Sequence, residues 1–123
     1  MNSGLFIEAI VKYVRDSAIE DTVCNMEDPP GRKPRQKDLE LAEWYNEQSA
    51  SNKKMIKKAL YEAVDTSLFG LFTVLDGVRP VENITNKGTL KLYFEKDGKR
   101  TLLNDIDNVL LHDIYNAITN PTD

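Results

Sequence analysis

Apolar positions along the chain fall into four helical stretches and one alternating one. Ile7, Ile10, Val11, Val14 and Ala18 recur at helical spacing, which predicts a first amphipathic helix capped by Asn2 or Ser3 and widened by Phe6 and Tyr13. Asp28-Pro29-Pro30-Gly31 should end it, because proline restricts the residue before it and has no amide hydrogen to donate. GRKPRQK then reads as an exposed loop, with loop character over about 28–37. Asp38 can cap a short second helix reaching to about Ser49, with Leu41, Trp44 and Tyr45 on one face and Glu40, Glu43 and Glu47 as a carboxylate stripe. A third helix opens at Ser51 or Asn52 and carries Ile56, Ala59, Leu60, Ala63, Val64, Leu71 and Leu75 at helical period. Its end, SLFGLFTVL, is apolar on nearly all sides, so 71–75 reads as helix or as strand. A continuous helix that stops at Asp76-Gly77, with Gly77 closing it, is the favoured reading.

The alternating stretch is TLKLYFEKDGKRTLL, where Leu90, Leu92 and Phe94 interleave with Thr89, Lys91, Tyr93 and Glu95. Asp97-Gly98 supplies a tight turn, Arg100 to Leu103 the return strand, and Val78 to Ile84 a weaker third strand kept short or at an edge by Pro80. Asn104 or Asp105 should cap a last helix with Ile106, Val109, Leu110, Ile114, Ala117 and Ile118 on one face and Pro121 at its end. The resulting fold class is α+β: one mainly helical domain over 1–123, with a small antiparallel hairpin or three-stranded sheet and a C-terminal helix.

Length and composition agree with one domain. A chain of 123 residues, 41% hydrophobic and 29% charged, can build one core but not two. No run approaches the 18 or so apolar residues that span a bilayer, and MNSGLFIEAIVKYVRD lacks a basic start and places Glu8 in its apolar stretch, against a signal peptide. The expectation is a soluble, cytoplasmic protein with no membrane partner.

Candidate chemistry is sparse. Cys24 and His112 are the only residues of their kinds, so a disulfide within the chain is excluded and the usual zinc and nucleophile constellations have no residues to draw on. Carboxylates around Cys24 disfavour its thiolate. His112 precedes Asp113, but neighbours on a helix point about 100° apart and pair poorly, and His112 should lie opposite the apolar face, in solvent. Asp65 and Asp76 are too far apart along one helix for joint acid and base work. Asp105 and Asp107 suit a helix N-terminus, where the dipole favours carboxylates. Trp44, Tyr45, Phe69, Phe72 and Phe94 read as core, whereas Tyr93 sits on the polar face of the hairpin. No Walker A, dinucleotide or GxSxG motif is present. Catalytic residues, cofactors and metals are therefore expected to be none, and the chain is not expected to be an enzyme.

Charge is the more informative signal. The net charge is −4, yet Asp16, Glu20, Asp21, Glu27 and Asp28 fall in a stretch without lysine or arginine, and Asp105, Asp107, Asp113 and Asp123 in another. Between them lie Arg32, Lys33, Arg35 and Lys37, then Lys53, Lys54, Lys57 and Lys58. GRKPRQK has no aromatic residue for base stacking and the chain as a whole is acidic, which disfavours nucleic acid as a partner. A field patterned this way steers a charged protein.

LFGLFTVLDGV, TLKLYF, TLLNDID and LLHDIYN, in that order, resemble small uncharacterised bacterial proteins of the toxin-immunity type, as in contact-dependent growth inhibition. The resemblance spans roughly 44–116 and implies a small cytoplasmic protein that neutralises a cognate toxin. Together with the acidic segments it gives the leading expectation: a protein-binding module that covers a basic toxin domain, with Asp16, Glu20, Asp21, Glu40, Glu43 and Glu47 as the contact set. The alternative is a structural or adaptor protein that self-associates as a homo-oligomer through the hairpin edge.

Overall fold

The structure, a computed structural model, describes residues 1–122, so Asp123 of the acidic C-terminal stretch lies outside it. The chain opens on one helical rod made of α1 (Ser3–Ile10), a π-helical turn (Val11–Asp16) and α2 (Ser17–Glu27). Asn2 caps it, its side chain accepting from the Leu5 amide at 2.9 Å, and the rod stops at Asp28 before the two prolines. The π turn alters which residues face inward. Ile7 and Ile19 are both buried, although twelve residues of regular α-helix would leave them roughly 120° out of phase. The wider π turn rotates less per residue and brings both to the inner side. Val14 and Ala18, expected on the apolar face, are consequently exposed.

α3 (Gln36–Asn46) starts two residues before Asp38, and that carboxylate accepts from Arg35 Nε at 2.9 Å instead of capping the helix. Its inner face is Ala42 and Tyr45; Leu41 and Trp44, expected beside Tyr45, turn outward. α4 (Ala50–Leu75) is a single helix through 71–75, capped by the Ser49 hydroxyl, which accepts from the Asn52 amide at 3.1 Å, rather than by Ser51 or Asn52. It closes as expected at Asp76-Gly77. Gly77 has φ +78°, its amide donates to Val74 O, and the Val78 amide reaches back to Thr73 O, the pair of bonds that satisfies a helix C-terminus. Leu71 on this helix is half exposed, not core.

The sheet is a two-stranded antiparallel hairpin, β1 (Tyr93–Lys96) and β2 (Lys99–Leu102), in the register Tyr93↔Leu102 to Lys96↔Lys99. Asp97 and Gly98 both take positive φ, 52° and 75°, as a two-residue hairpin turn requires. The expected third strand over Val78–Ile84 is irregular, exposed backbone, and Thr89–Leu92 also falls outside the ladder. Asn104 accounts for the second. Its amide donates to Leu75 O at 2.6 Å and Leu90 O at 2.8 Å, and its oxygen accepts from the Leu92 amide at 2.8 Å. One side chain thus takes backbone groups of Leu90 and Leu92 and pinches the loop shut at the end of α4.

The last helix, α5 (Leu111–Thr119), begins well after Asn104 and Asp105 because neither is its cap. Asp76 is: its carboxylate accepts from the Leu111 amide at 3.1 Å and the His112 amide at 2.9 Å across 35 residues of chain. The expected face shifts with the start. Ile106 and Val109 lie in the preceding turns, 73% and 65% exposed, while Leu111 and Tyr115 are buried. The main core joins Ile7 of α1, Phe72 of α4, and Leu111 and Tyr115 of α5, with Phe72 packed edge-on against Phe6 and tilted against Tyr115. α2 and α3 form an adjoining helical pair that buries Ile19, Met26, Ala42 and Tyr45, tied at its end by Asn46 Nδ2 donating to Glu27 O at 3.1 Å. No helix among the described residues is long and apolar enough to cross a membrane.

Candidate functional site

Titratable groups gather at two places in the interior. At the first, His112 is not the solvent-facing residue its spacing suggested: its side chain is 13% exposed and lies edge-on to Phe69, with ring centroids 5.5 Å apart. The later start of α5 puts it in the first helical turn, where Nδ1 meets Asp76 Oδ2 at 2.6 Å. Facing an oxygen that already accepts the His112 amide, Nδ1 is the ring nitrogen placed to carry a proton, as in the aspartate–histidine pairs of hydrolases. At Nε2, however, stands Asp113 Oδ1 at 3.4 Å, and among the described residues no hydroxyl or thiol hydrogen-bonds that edge. Asp76 is meanwhile committed to the two amides of α5. The pair acts as a clasp between α4 and α5.

The second place joins the π turn to α4 and α5. Arg15 donates from Nε and Nη2 to the two oxygens of Asp65, at 2.6 and 3.0 Å, and from Nη1 to Asp16 at 3.0 Å, with its guanidinium 4.7 Å from the centre of the Tyr61 ring. The Tyr115 hydroxyl donates to Asp65 Oδ1 at 2.7 Å. The bidentate bond from Arg15 holds the Asp65 carboxyl below its usual range, against burial, and Tyr115 adds to this. The same bond raises Arg15. Burial first, then the bond to Asp65, pushes the Tyr115 phenol up. Asp65 and Asp76 therefore serve separate clusters, as their spacing predicted. Among the described residues every buried side-chain polar atom has a partner and no group of three metal-ligating side chains forms.

The outer face of the α2–α3 pair is different in kind. Of the expected contact set, Asp16 is partly buried and taken by Arg15, whereas Glu20, Asp21, Glu40, Glu43 and Glu47 are exposed. Glu40 accepts from Gln36 at 3.2 Å; the other four form no ion pair or side-chain hydrogen bond among the described residues. Beside them on α3, Trp44 is 51% exposed and Leu41 nearly as much. Glu40 lies one turn before the indole and Glu47 one turn after it, the spacing at which helical side chains are neighbours. Reading Trp44 as core hid this, although Leu41 and Trp44 lie three apart while Ala42 and Tyr45 lie three apart one residue on, and the smaller pair is the one buried.

Basic groups border this face: Lys37 stands in the first turn of α3, and Lys53 Nζ of α4 lies 5.1 Å from the centre of the Tyr45 ring. Arg32, Lys33 and Arg35 are exposed in the loop before α3, and Arg100 covers the Tyr93 ring at 4.2 Å on the hairpin. Cys24 is exposed on α2. Compared with protein-family models, with curated proteins and with solved structures, the chain gave no match.

Proposed function

We propose that this chain is a protein-binding module of the immunity type, which covers a basic surface of a bacterial toxin domain with α3 and the adjoining side of α2. The observation that carries this reading is the half-exposed Trp44 flanked by Glu40, Glu43 and Glu47. A tryptophan is the side chain that most often dominates a protein interface, and it does so when surrounding groups shut water out. A row of carboxylates around it selects lysine- or arginine-bearing partners, speeds encounter and repels acidic ones. Such a surface blocks a positively charged active site by occupation, with no chemistry on this chain. The contact set is Glu20, Asp21, Glu40, Glu43, Glu47 and, through its free edge, Asp16, with Trp44 and Leu41 added.

Affinity capture from the source cell, using the folded chain and a Glu40→Lys/Glu43→Lys/Glu47→Lys variant as paired baits, tests the reading. A basic protein held by the first bait, lost from the second and released by salt is the expected result. A protein held equally by both baits, or one with no basic surface, would count against it.

A further inference from the structure

We infer that copies of this chain associate head to tail, the acidic face of α3 in one copy seated on a lysine face of α4 in the next. The inference shares the α3 face with the proposed function but needs no toxin. Its starting point is the first half of α4. Lys53, Lys54, Lys57 and Lys58 crowd the opening turns of that helix, where the dipole disfavours cations, and its first turn holds no acidic residue. None of the four lysines enters an ion pair among the described residues. Their charge is left without a contacting carboxylate, in the place on a helix that most calls for one.

Helical geometry sets out the two faces. With about 100° per residue, Lys54, Met55 and Lys58 fall within an arc of about 100° on α4, and all three are exposed. Glu40, Glu43, Trp44 and Glu47 fall within an equal arc on α3 and are exposed too. The two helices touch where Lys53 Nζ meets the Tyr45 ring. Around α3, Glu43 and Glu47 lie about 160° from Tyr45; around α4, Lys54 and Lys58 lie about 100° and 140° from Lys53. The faces therefore turn away from each other and cannot neutralise one another within one chain. A contact between them joins two copies through unlike surfaces, and such a contact repeats from copy to copy.

Sign and spacing match across the contact. Glu43 and Glu47 are one turn apart, as are Lys54 and Lys58, about 6 Å along each helix. The ends fix the direction. Exposed Lys37 precedes the glutamates on α3, and exposed Glu62 follows the lysines on α4. Antiparallel helices bring Lys37 towards Glu62, whereas parallel ones would bring Lys37 towards Lys54, so complementarity selects the antiparallel arrangement. Between the ion pairs the half-exposed Trp44 indole meets the thioether of Met55, which is 58% exposed, a favourable sulfur–aromatic contact. Exposed ion pairs are individually weak and screened by salt, so copies separate on dilution and leave α3 free for another partner. The hairpin edge is a poorer site for self-association. Its strands are four residues long and carry Lys96, Lys99 and Arg100, the features that keep edges from pairing.

Sedimentation velocity of the full chain, from micromolar to submillimolar concentration, tests the inference. In low salt the average mass should climb above 14.0 kDa with concentration without stopping at a dimer, and in high salt it should return to the monomer. Lys54→Glu/Lys58→Glu and Glu43→Lys/Glu47→Lys should each weaken association by about tenfold or more, since attractive pairs become repulsive ones. Mixed in equal amounts, the two variants should associate again, because each then carries on both helices the sign that the other lacks. The Glu43→Lys/Glu47→Lys chain is neutral overall, so bulk attraction does not draw them together. Far-ultraviolet circular dichroism of each variant should match wild type, as all four side chains are exposed. Lys54→Glu/Lys58→Glu leaves α3 untouched and should still capture a basic partner, which separates failure of this inference from failure of the proposed function. A wild-type chain that stays monomeric at every concentration in low salt, whether or not Lys54 and Lys58 retain some other acidic protein, would overturn the proposal. So would association that survives high salt, or folded variants that stay apart when mixed.

Discussion

Asp65 accepts a bidentate arginine and a buried phenol at once, and that makes it the residue through which pH acts on this fold. Its carboxyl is held below the ordinary value, so the stabilisation it provides is complete above an unfolded pKa of about 4 and disappears as pH falls through the lower folded value. Tyr115 works from the other side. Its phenol is raised, so the contribution of its neutral form is complete below about pH 10 and is lost as pH climbs through the folded value. Urea midpoints followed across pH should show wild type losing its advantage over Asp65→Asn in the acid limb and over Tyr115→Phe in the alkaline limb. At neutral pH the phenylalanine variant should be less stable by about 1 kcal/mol, the worth of one hydrogen bond. A parallel pair of curves at either end would mean that the cluster does not titrate with folding.

Between elements, the decisive connection is Asp76, which closes α4, caps α5 and holds His112. Asp76→Ala removes a cap and a buried carboxylate's hydrogen bonds together, and should cost about 2–3 kcal/mol. Asp76→Asn keeps an acceptor and should cost less. Hydrogen exchange should show the loss concentrated in the first turn of α5, and uniform loosening of all helices would contradict the clasp. The same connection explains what could be read from the chain alone. Elements held by local rules were legible: Asn2 as a cap, the two prolines after Asp28, Asp97-Gly98 as a hairpin turn, and Asp76-Gly77 as a helix end. Elements set by distant partners were not. The start of α5 depends on a carboxylate 35 residues away, the irregular path of Leu90–Leu92 on the amide of Asn104, and the inward turn of Ile19 on a π turn too short to show in the apolar pattern. Each shift moved chemistry with it, His112 from solvent to Asp76, and Ile106 and Val109 from core to surface. The carboxylate row on α3 was legible, because spacing along one helix suffices to see it, whereas the exposed Trp44 at its centre was not.

At the scale of the molecule, one exposed face stands apart, the acidic, tryptophan-centred one on α3. Association by that face weakens as ionic strength rises. Trp44 is the only tryptophan in the chain, so its fluorescence reports on that face alone. The measurement is its emission while the basic protein recovered by affinity capture is added. A blue shift that saturates with binding, and that fades with added salt, is the predicted result, because a half-exposed indole becomes covered. A complex that forms while the emission of Trp44 stays where it was would contradict the account, since the partner would then be bound somewhere other than α3.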